Sequence, residues 1–447
     1  MSFLSFPGDF LWGAATSSYQ IEGAAKEACK GESIWDRFVH TPGKIAGNDN
    51  GDTACDHFHR YRDDVSLMRE MRLQAYRFSI SWPRILPNGS GKIEQRGLDF
   101  YSSLVDELLA AGIKPFITLY HWDLPQALED KGGWANRDIA GWFGDYASAV
   151  ARAIGDRVPF FTTLNEPGIF SVLGYLTGRH APGHEDPGRY FKACHHINLA
   201  HGVAAEALRA DSKAEVGTVL QLGPFHPRGD SEEDLEAARK LDGLFNRWYA
   251  EPVTLGKYPE DMMELFGGMV PIEPKDMERI STPLDFIGMN IYTRMWAYHA
   301  PEVPLLEAMV DEKYRVQGAK YTEMGWEVYP EAMHEALMRF KNEWGDPPVY
   351  ITENGAAFDD KVVAGGVRDQ DRIDYYKAYL EQVRRAMDEG VDVKGHLAWS
   401  LMDNFEWAEG YTKRFGLVHV DFETLARTPK ASAFWYREVI ENGGFGV

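Results

Sequence analysis

Eight short apolar runs punctuate the chain: FLWGAAT, AYRFSIS, IKPFITLYHW, VPFFTTLN, EVGTVLQL, LDFIGMNIY, PPVYITEN and VKGHLAWSL. Each is β-prone and apolar on both faces, the pattern of a parallel strand covered on its outside by helices. The stretches between them read as helices. The clearest begins at Gly97, where Leu98, Tyr101, Leu104, Val105, Leu108 and Leu109 recur at helical spacing, with Asp99, Asp106 and Glu107 on other faces. Gly112 is placed to close that helix, and Pro115 is tolerable near the start of the strand that follows. Eight parallel-type strands separated by helices predict an α/β fold, a single (β/α)8 TIM barrel, over a doubly wound sheet. No repeat, low-complexity tract or break in composition divides residues 1–447, so one catalytic domain is expected over the whole length.

A barrel of this kind builds its active site at the C-terminal ends of its strands. Those ends are where polar and aromatic side chains gather in this sequence. The first run leads to Gln20, the second contains Arg77, and the third ends in His121 and Trp122. Asn165 and Glu166 end the fourth, just before Pro167; Asn290 and Tyr292 lie at the sixth, Glu353 at the seventh, and Trp399, Glu406 and Trp407 at and beyond the eighth. Two runs thus stop at a glutamate, which points to two carboxylates delivered to one pocket. The segments TPGKIAGNDNGDTACDH, RHAPGHEDPGR and Pro304 to Lys320 follow strand ends and read as pocket walls.

Charge narrows the partners. The chain has 68 acidic and 47 basic side chains, a formal charge of -21, which repels nucleic acid and anionic membrane surfaces. No run of about 18 apolar residues suggests a membrane span. Cys29, Cys55 and Cys194 are too few and scattered for a disulfide framework, which fits buried free thiols in a reducing compartment. The N-terminal MSFLSFPGDF has no basic region, and Pro7, Gly8 and Asp9 interrupt its apolar start, so it reads as mature, cytoplasmic protein. His57, His59, His195, His196 and His201 form neither HExxH nor a Cys/His knuckle, so helix-surface or capping roles are expected of them rather than metal binding. No phosphate-binding glycine loop is present, and no cofactor is expected.

Two glutamates flanking an acetal carbon can divide the work of glycoside hydrolysis, one as acid and base and the other as nucleophile. Indoles then stack on the sugar ring while amide, imidazole and carboxylate groups read its hydroxyls. The stretches FLWGAATSSYQIEG, YRFSISWPRI, LYHWDLPQ, TLNEP, GMNIYT, ITENG and WSLMDNFEWAEGYTKRFGL, in that order, resemble the family 1 glycoside hydrolases, in particular bacterial β-glucosidases, from about Phe6 to Tyr436. The resemblance implies hydrolysis of β-glycosides with retention of configuration, on small β-glycosides or cello-oligosaccharides.

By that resemblance Glu166 in TLNEP is the general acid and base, and Glu353 in ITENG the nucleophile. Asn165 is expected on the sugar 2-hydroxyl, with Arg77 and Tyr292 keeping Glu353 ionised and oriented and Asn290 supporting them. Gln20, His121, Glu406 and Trp407 would hold outer hydroxyls, Trp399 would form the stacking floor, Trp122 would line the pocket and Trp326 the aglycone wall. Gly168, Leu173 and His180 are expected on the rim. Ile291 stands where the family often has a second Tyr, and strand alternation points it away from the pocket. Two other readings compete: a 6-phospho-β-glycosidase, against which the carboxylate of Glu406 argues, and a catalytically silent sugar-binding barrel, against which both glutamates argue.

Overall fold

The cadence of strands closes on itself. In the computed structural model, which describes residues 3–446, eight strands form a closed barrel. They are β1 (Leu11–Ala15), β2 (Ala75–Ser79), β3 (Lys114–Tyr120), β4 (Phe160–Asn165), β5 (Glu215–Gln221), β6 (Phe286–Asn290), β7 (Val349–Asn354) and β8 (Val393–Trp399). Each pairs in parallel with its neighbours in sequence, and β8 returns to β1 with Leu397 opposite Gly13 and Trp399 opposite Ala15. Every predicted run supplies one of these strands, shortened at its ends.

The two faces of the strands have different work. Outward residues such as Ile117, Phe161, Ile287 and Ile351 join the large core beneath the surrounding helices. Inward, Phe116, Phe160, Phe286 and Tyr350 meet with ring centroids 5.1 to 6.1 Å apart and plug the lower part of the barrel. Above this aromatic floor the interior turns polar: Thr118 accepts from Arg77 Nε at 3.0 Å and bonds Thr162 at 2.9 Å. A polar layer inside a barrel is stable only when its groups are paired, and these are.

The helix expected from Gly97 runs over Gln95–Ala110, with the Glu94 side chain accepting from the Arg96 amide at its start and Gly112 at φ +76° just beyond its end. Ile291 is fully buried in the outer core, as alternation required. The histidine expectation needs correction: His57, His195, His196 and His201 are buried, and only His59 is exposed, beside Asp56. His195 illustrates how burial is satisfied, with Nε2 on Asp276 at 2.8 Å and Nδ1 on the Tyr258 hydroxyl at 2.9 Å. Cys55 and Cys194 are buried free thiols, whereas Cys29 is exposed. Among the described residues no helix is long and apolar enough to cross a membrane.

Candidate active site

Strand alternation alone would misplace the residues that matter. On β4, Phe160 and Thr162 point inward, while Thr163 points out and bonds His201 Nδ1 at 2.7 Å; strict alternation would send Asn165 outward as well. The register against β5 shifts between Thr162 and Asn165. Such an irregularity re-aims the side chains after it, and Asn165 turns into the barrel. Glu166 follows at φ +51°, ψ +60°, a left-handed conformation uncommon outside glycine, and Pro167 then opens a short helix, Pro167–Ser171. β7 repeats the device: its register against β6 shifts between Ile351 and Glu353, and Glu353 faces inward although Ile351 faces out.

Closure of the barrel brings the two glutamates into one network. Arg77, fully buried on β2, donates from Nη1 to Glu353 Oε1 at 2.5 Å and from Nη2 to Asn165 Oδ1 at 2.7 Å. Tyr292 donates its hydroxyl to Glu353 Oε2 at 2.6 Å. Asn290 Nδ2 donates to Glu166 Oε1 at 2.8 Å and to Asn165 Oδ1 at 3.1 Å, and its own Oδ1 accepts from Thr352 at 2.7 Å. Glu353 therefore has a cation and a phenol on its two oxygens; Glu166 has one neutral amide.

Burial, the charge of Glu353 and that of Glu406 raise the Glu166 carboxyl to about 8, with Asn290 and Arg77 opposing. Burial is also the largest influence on Glu353 and leaves it raised above the ordinary carboxylate range, even though Arg77, Tyr292 and Asn290 favour its charged form. Arg77 acts in the expected direction, favouring the ionised form, and offsets part of the desolvation. Of the two, Glu353 has the stronger stabilisation of negative charge, so the first proton leaves from its side of the pair.

The remaining predicted residues line the space around this pair. Trp122, at φ +77°, donates Nε1 to the Asn165 carbonyl at 3.0 Å, and its ring lies 4.7 Å from that of Trp407. His121 stacks at 5.7 Å on Trp399. Because Asn165 Nδ2 donates to His121 Nε2 at 3.1 Å, the imidazole proton sits on Nδ1, which has no protein partner. Burial holds this histidine neutral, well below its usual value. Gln20 is tied up within the protein: its Oε1 accepts from Ser17 at 2.6 Å, and Nε2 donates to Asn404 at 3.0 Å and the Phe405 carbonyl at 2.9 Å, with Glu406 only at 3.5 Å. Glu406 is raised to about 8 by burial, Glu353 and Glu409. Trp326 is half-buried, 5.4 Å from the ring of Tyr292. Of the expected rim residues, His180 packs 5.5 Å from Trp122, but Gly168 is buried, and a Cβ there would meet the Phe245 carbonyl at 2.5 Å.

The family described as Glycosyl hydrolase family 1 matches residues 3–445. The chain belongs to that family. Among its relatives are a "Beta-glucosidase A" of Acetivibrio thermocellus, 47% identical over 100% of both chains, and a "Bifunctional beta-D-glucosidase/beta-D-fucosidase" of Bifidobacterium breve, 43% identical over 97% of this chain and 98% of the other. A solved "Family 1 b-glucosidase from Thermotoga maritima" superposes with a TM-score of 0.96 over 100% of both chains at 45% identity.

For this family 1 chain the arrangement allows one carboxylate to attack while the other, held protonated, gives up a proton. Several contributors escaped sequence reasoning. Trp35 lies 4.6 Å from Trp407 and 5.3 Å from His180, yet it comes from the short helix Ile34–Phe38, outside the strand-end motifs. Ser17 and Asn404 orient Gln20; both stand inside the quoted motifs, and their hydrogen-bonding side chains were the available signal. Thr118 and Thr352 read as ordinary strand residues, and only closure reveals them under Arg77 and Asn290.

Proposed function

We propose that this chain is a retaining β-glucosidase, acting as a single catalytic domain on terminal non-reducing β-D-glucosyl residues of small β-glycosides and cello-oligosaccharides. The observation that carries the division of labour is the asymmetry of the carboxyl pair: Glu353 bonded to Arg77 and Tyr292, Glu166 bonded only to the Asn290 amide. Glu353 attacks the anomeric carbon as Glu166 protonates the leaving oxygen, forming a covalent glycosyl-enzyme. Glu166, now ionised, takes a proton from a water molecule as that water bonds to the anomeric carbon and breaks its bond to Glu353, which leaves as the carboxylate and releases the sugar with its original configuration. Asn165 would meet the 2-hydroxyl, and the free Nδ1–H of His121 and the Glu406 carboxyl would meet the outer hydroxyls, over a floor formed by Trp399.

The carboxyl at Glu406, whose surroundings disfavour further negative charge, supports neutral sugars over 6-phosphorylated ones. The relative that acts on both glucosides and fucosides supports some tolerance at the outer hydroxyls. Three scattered cysteines fit a cytoplasmic place in cellobiose degradation. The test is hydrolysis of p-nitrophenyl β-glucoside followed by NMR during the first turnovers. β-Glucose is expected as first product; release of α-glucose, or no hydrolysis by folded protein, would overturn the reading.

A further inference from the structure

We infer that Arg294 and Glu327 form a positioning pair that sets Trp326 against the leaving-group side of the site. This rests on the β-glucosidase reading above. Between Tyr292, just past the end of β6, and Trp326 the chain makes a long excursion that includes the strands Met295–His299 and Ala308–Val310, paired with Phe225–Pro227 in a small separate sheet. An excursion of this length does not by itself hold its two ends in register. The structure pins them immediately beside the two aromatic residues. Arg294 Nε and Nη2 donate to the two oxygens of Glu327 at 3.0 and 2.8 Å, and Thr293 Oγ1 donates to the Glu327 carbonyl at 2.7 Å.

The clamp is built more thoroughly than a surface ion pair. The Arg294 guanidinium lies 4.3 Å from the ring of Trp296 and 3.7 Å from that of Tyr329. Trp296 Nε1 adds a third donor to Glu327 at 3.2 Å, and Arg294 Nη1 also meets His226 Nδ1 at 3.2 Å. Side-chain exposures of 13% for Arg294 and 6% for Glu327 place the pair out of bulk water, where a planar bidentate fork fixes geometry as well as charge. Next to this clamp in the chain, half-buried Trp326 lies with its ring 5.4 Å from that of Tyr292, whose hydroxyl is on the proposed nucleophile. Tyr292 has independent anchors, since its carbonyl accepts from the Tyr379 and Tyr375 hydroxyls at 2.7 and 3.1 Å. The backbone bonds of Trp326 stay within its own turn, its carbonyl accepting from the Thr322 amide at 2.9 Å and its amide donating to Thr322 Oγ1 at 3.3 Å, and its ring packs 6.0 Å from Phe415, so loss of the clamp should be felt more at the aglycone wall than at the nucleophile.

The experiment compares cellobiose, which has a ring to stack in the leaving-group position, with β-glucosyl fluoride, which has none. Wild-type protein should hydrolyse both; failure on both would defeat the β-glucosidase reading itself, separately from this one. Glu327→Gln should lower kcat/KM on cellobiose by about tenfold, mainly through KM, and leave the fluoride within about threefold, a coupling of the size contacting residues show. Both limbs of the pH profile should stay in place. Trp326→Ala should show the same selective loss, and the double variant should lose little beyond the larger single effect. Arg294→Lys, which keeps the charge and loses the fork, provides the same comparison if Glu327→Gln does not fold. Equal losses on both substrates, or full additivity with Trp326→Ala, would overturn the proposal.

Discussion

Tyr292→Phe isolates one hydrogen bond to the proposed nucleophile. The wild-type phenol donates to Glu353 Oε2 at 2.6 Å, and the substitution removes that donor while keeping the ring that packs on Trp326. A hydrogen bond to a charged group contributes about 1.5–3 kcal/mol, and each pKa unit corresponds to about 1.4 kcal/mol, so Glu353 should rise by about one to two units. The direction follows from which form is favoured: Tyr292 stabilises the carboxylate and lowers its pKa against burial, so its loss raises a group that is already raised. Attack requires the ionised form. The acidic limb of kcat/KM should therefore move to higher pH by about one to two units, with about a tenfold or greater extra loss on that limb. The basic limb should move less, because it reports Glu166, whose hydrogen bond comes from Asn290 and not from Tyr292. A stopped assay of p-nitrophenyl β-glucoside across acidic and basic pH, with wild-type and variant proteins of matched folding, reads both limbs. An unmoved acidic limb, or movement of the basic limb alone, would refute the assignment of Glu353 as the group that must be ionised.

Glu166→Ala should still be glycosylated by a dinitrophenyl glucoside but turn over slowly, and added azide should restore turnover and yield the β-azide; an α-azide, identified by NMR, would exchange the two roles. Because Glu166 sits at about 8, activity should fall as pH rises through that value, and a Glu166→Gln protein, assayed on substrates limited by glycosylation, should lose that limb. On 6-phosphorylated p-nitrophenyl β-glucoside, kcat/KM should be at least about tenfold lower than on the neutral sugar, a repulsion of only ~1.4 kcal/mol, and Glu406→Ser should narrow the gap. Lys430 is fully buried, with Nζ 2.5 Å from Asp360 and 2.7 Å from Asp403, the residue that precedes Asn404 and the Glu406 loop. Lys430→Met should cost about 3–5 kcal/mol by leaving buried carboxylates short of a partner, read as a lowered midpoint in urea unfolding.

What was legible and what was not can be traced to particular residues. The fold was legible because a barrel strand buried on both faces writes itself as an apolar run, and eight runs leave few architectures. The glutamates were legible because each interrupts such a run at its end. The actual direction in which Asn165 and Glu353 point was not: period-two alternation predicts the opposite face, and the register shifts in β4 and β7 depend on pairing with neighbouring strands. Trp35 was missed for a related reason, since a single-turn helix such as Ile34–Phe38 has too little periodicity to say which wall it will cover.

By itself the sequence determined the strand count, the helix that begins near Gly97, the chemical types at the strand ends and the net charge, all of them local or additive properties. Tertiary structure alone decided which charges meet. Glu166 and Glu353 stand 187 residues apart in the chain (353 minus 166) yet share a network through Arg77, Asn165 and Asn290. It also decided how strongly each ionises, because desolvation depends on everything packed around a carboxyl, and burial there outweighs even the adjacent guanidinium of Arg77.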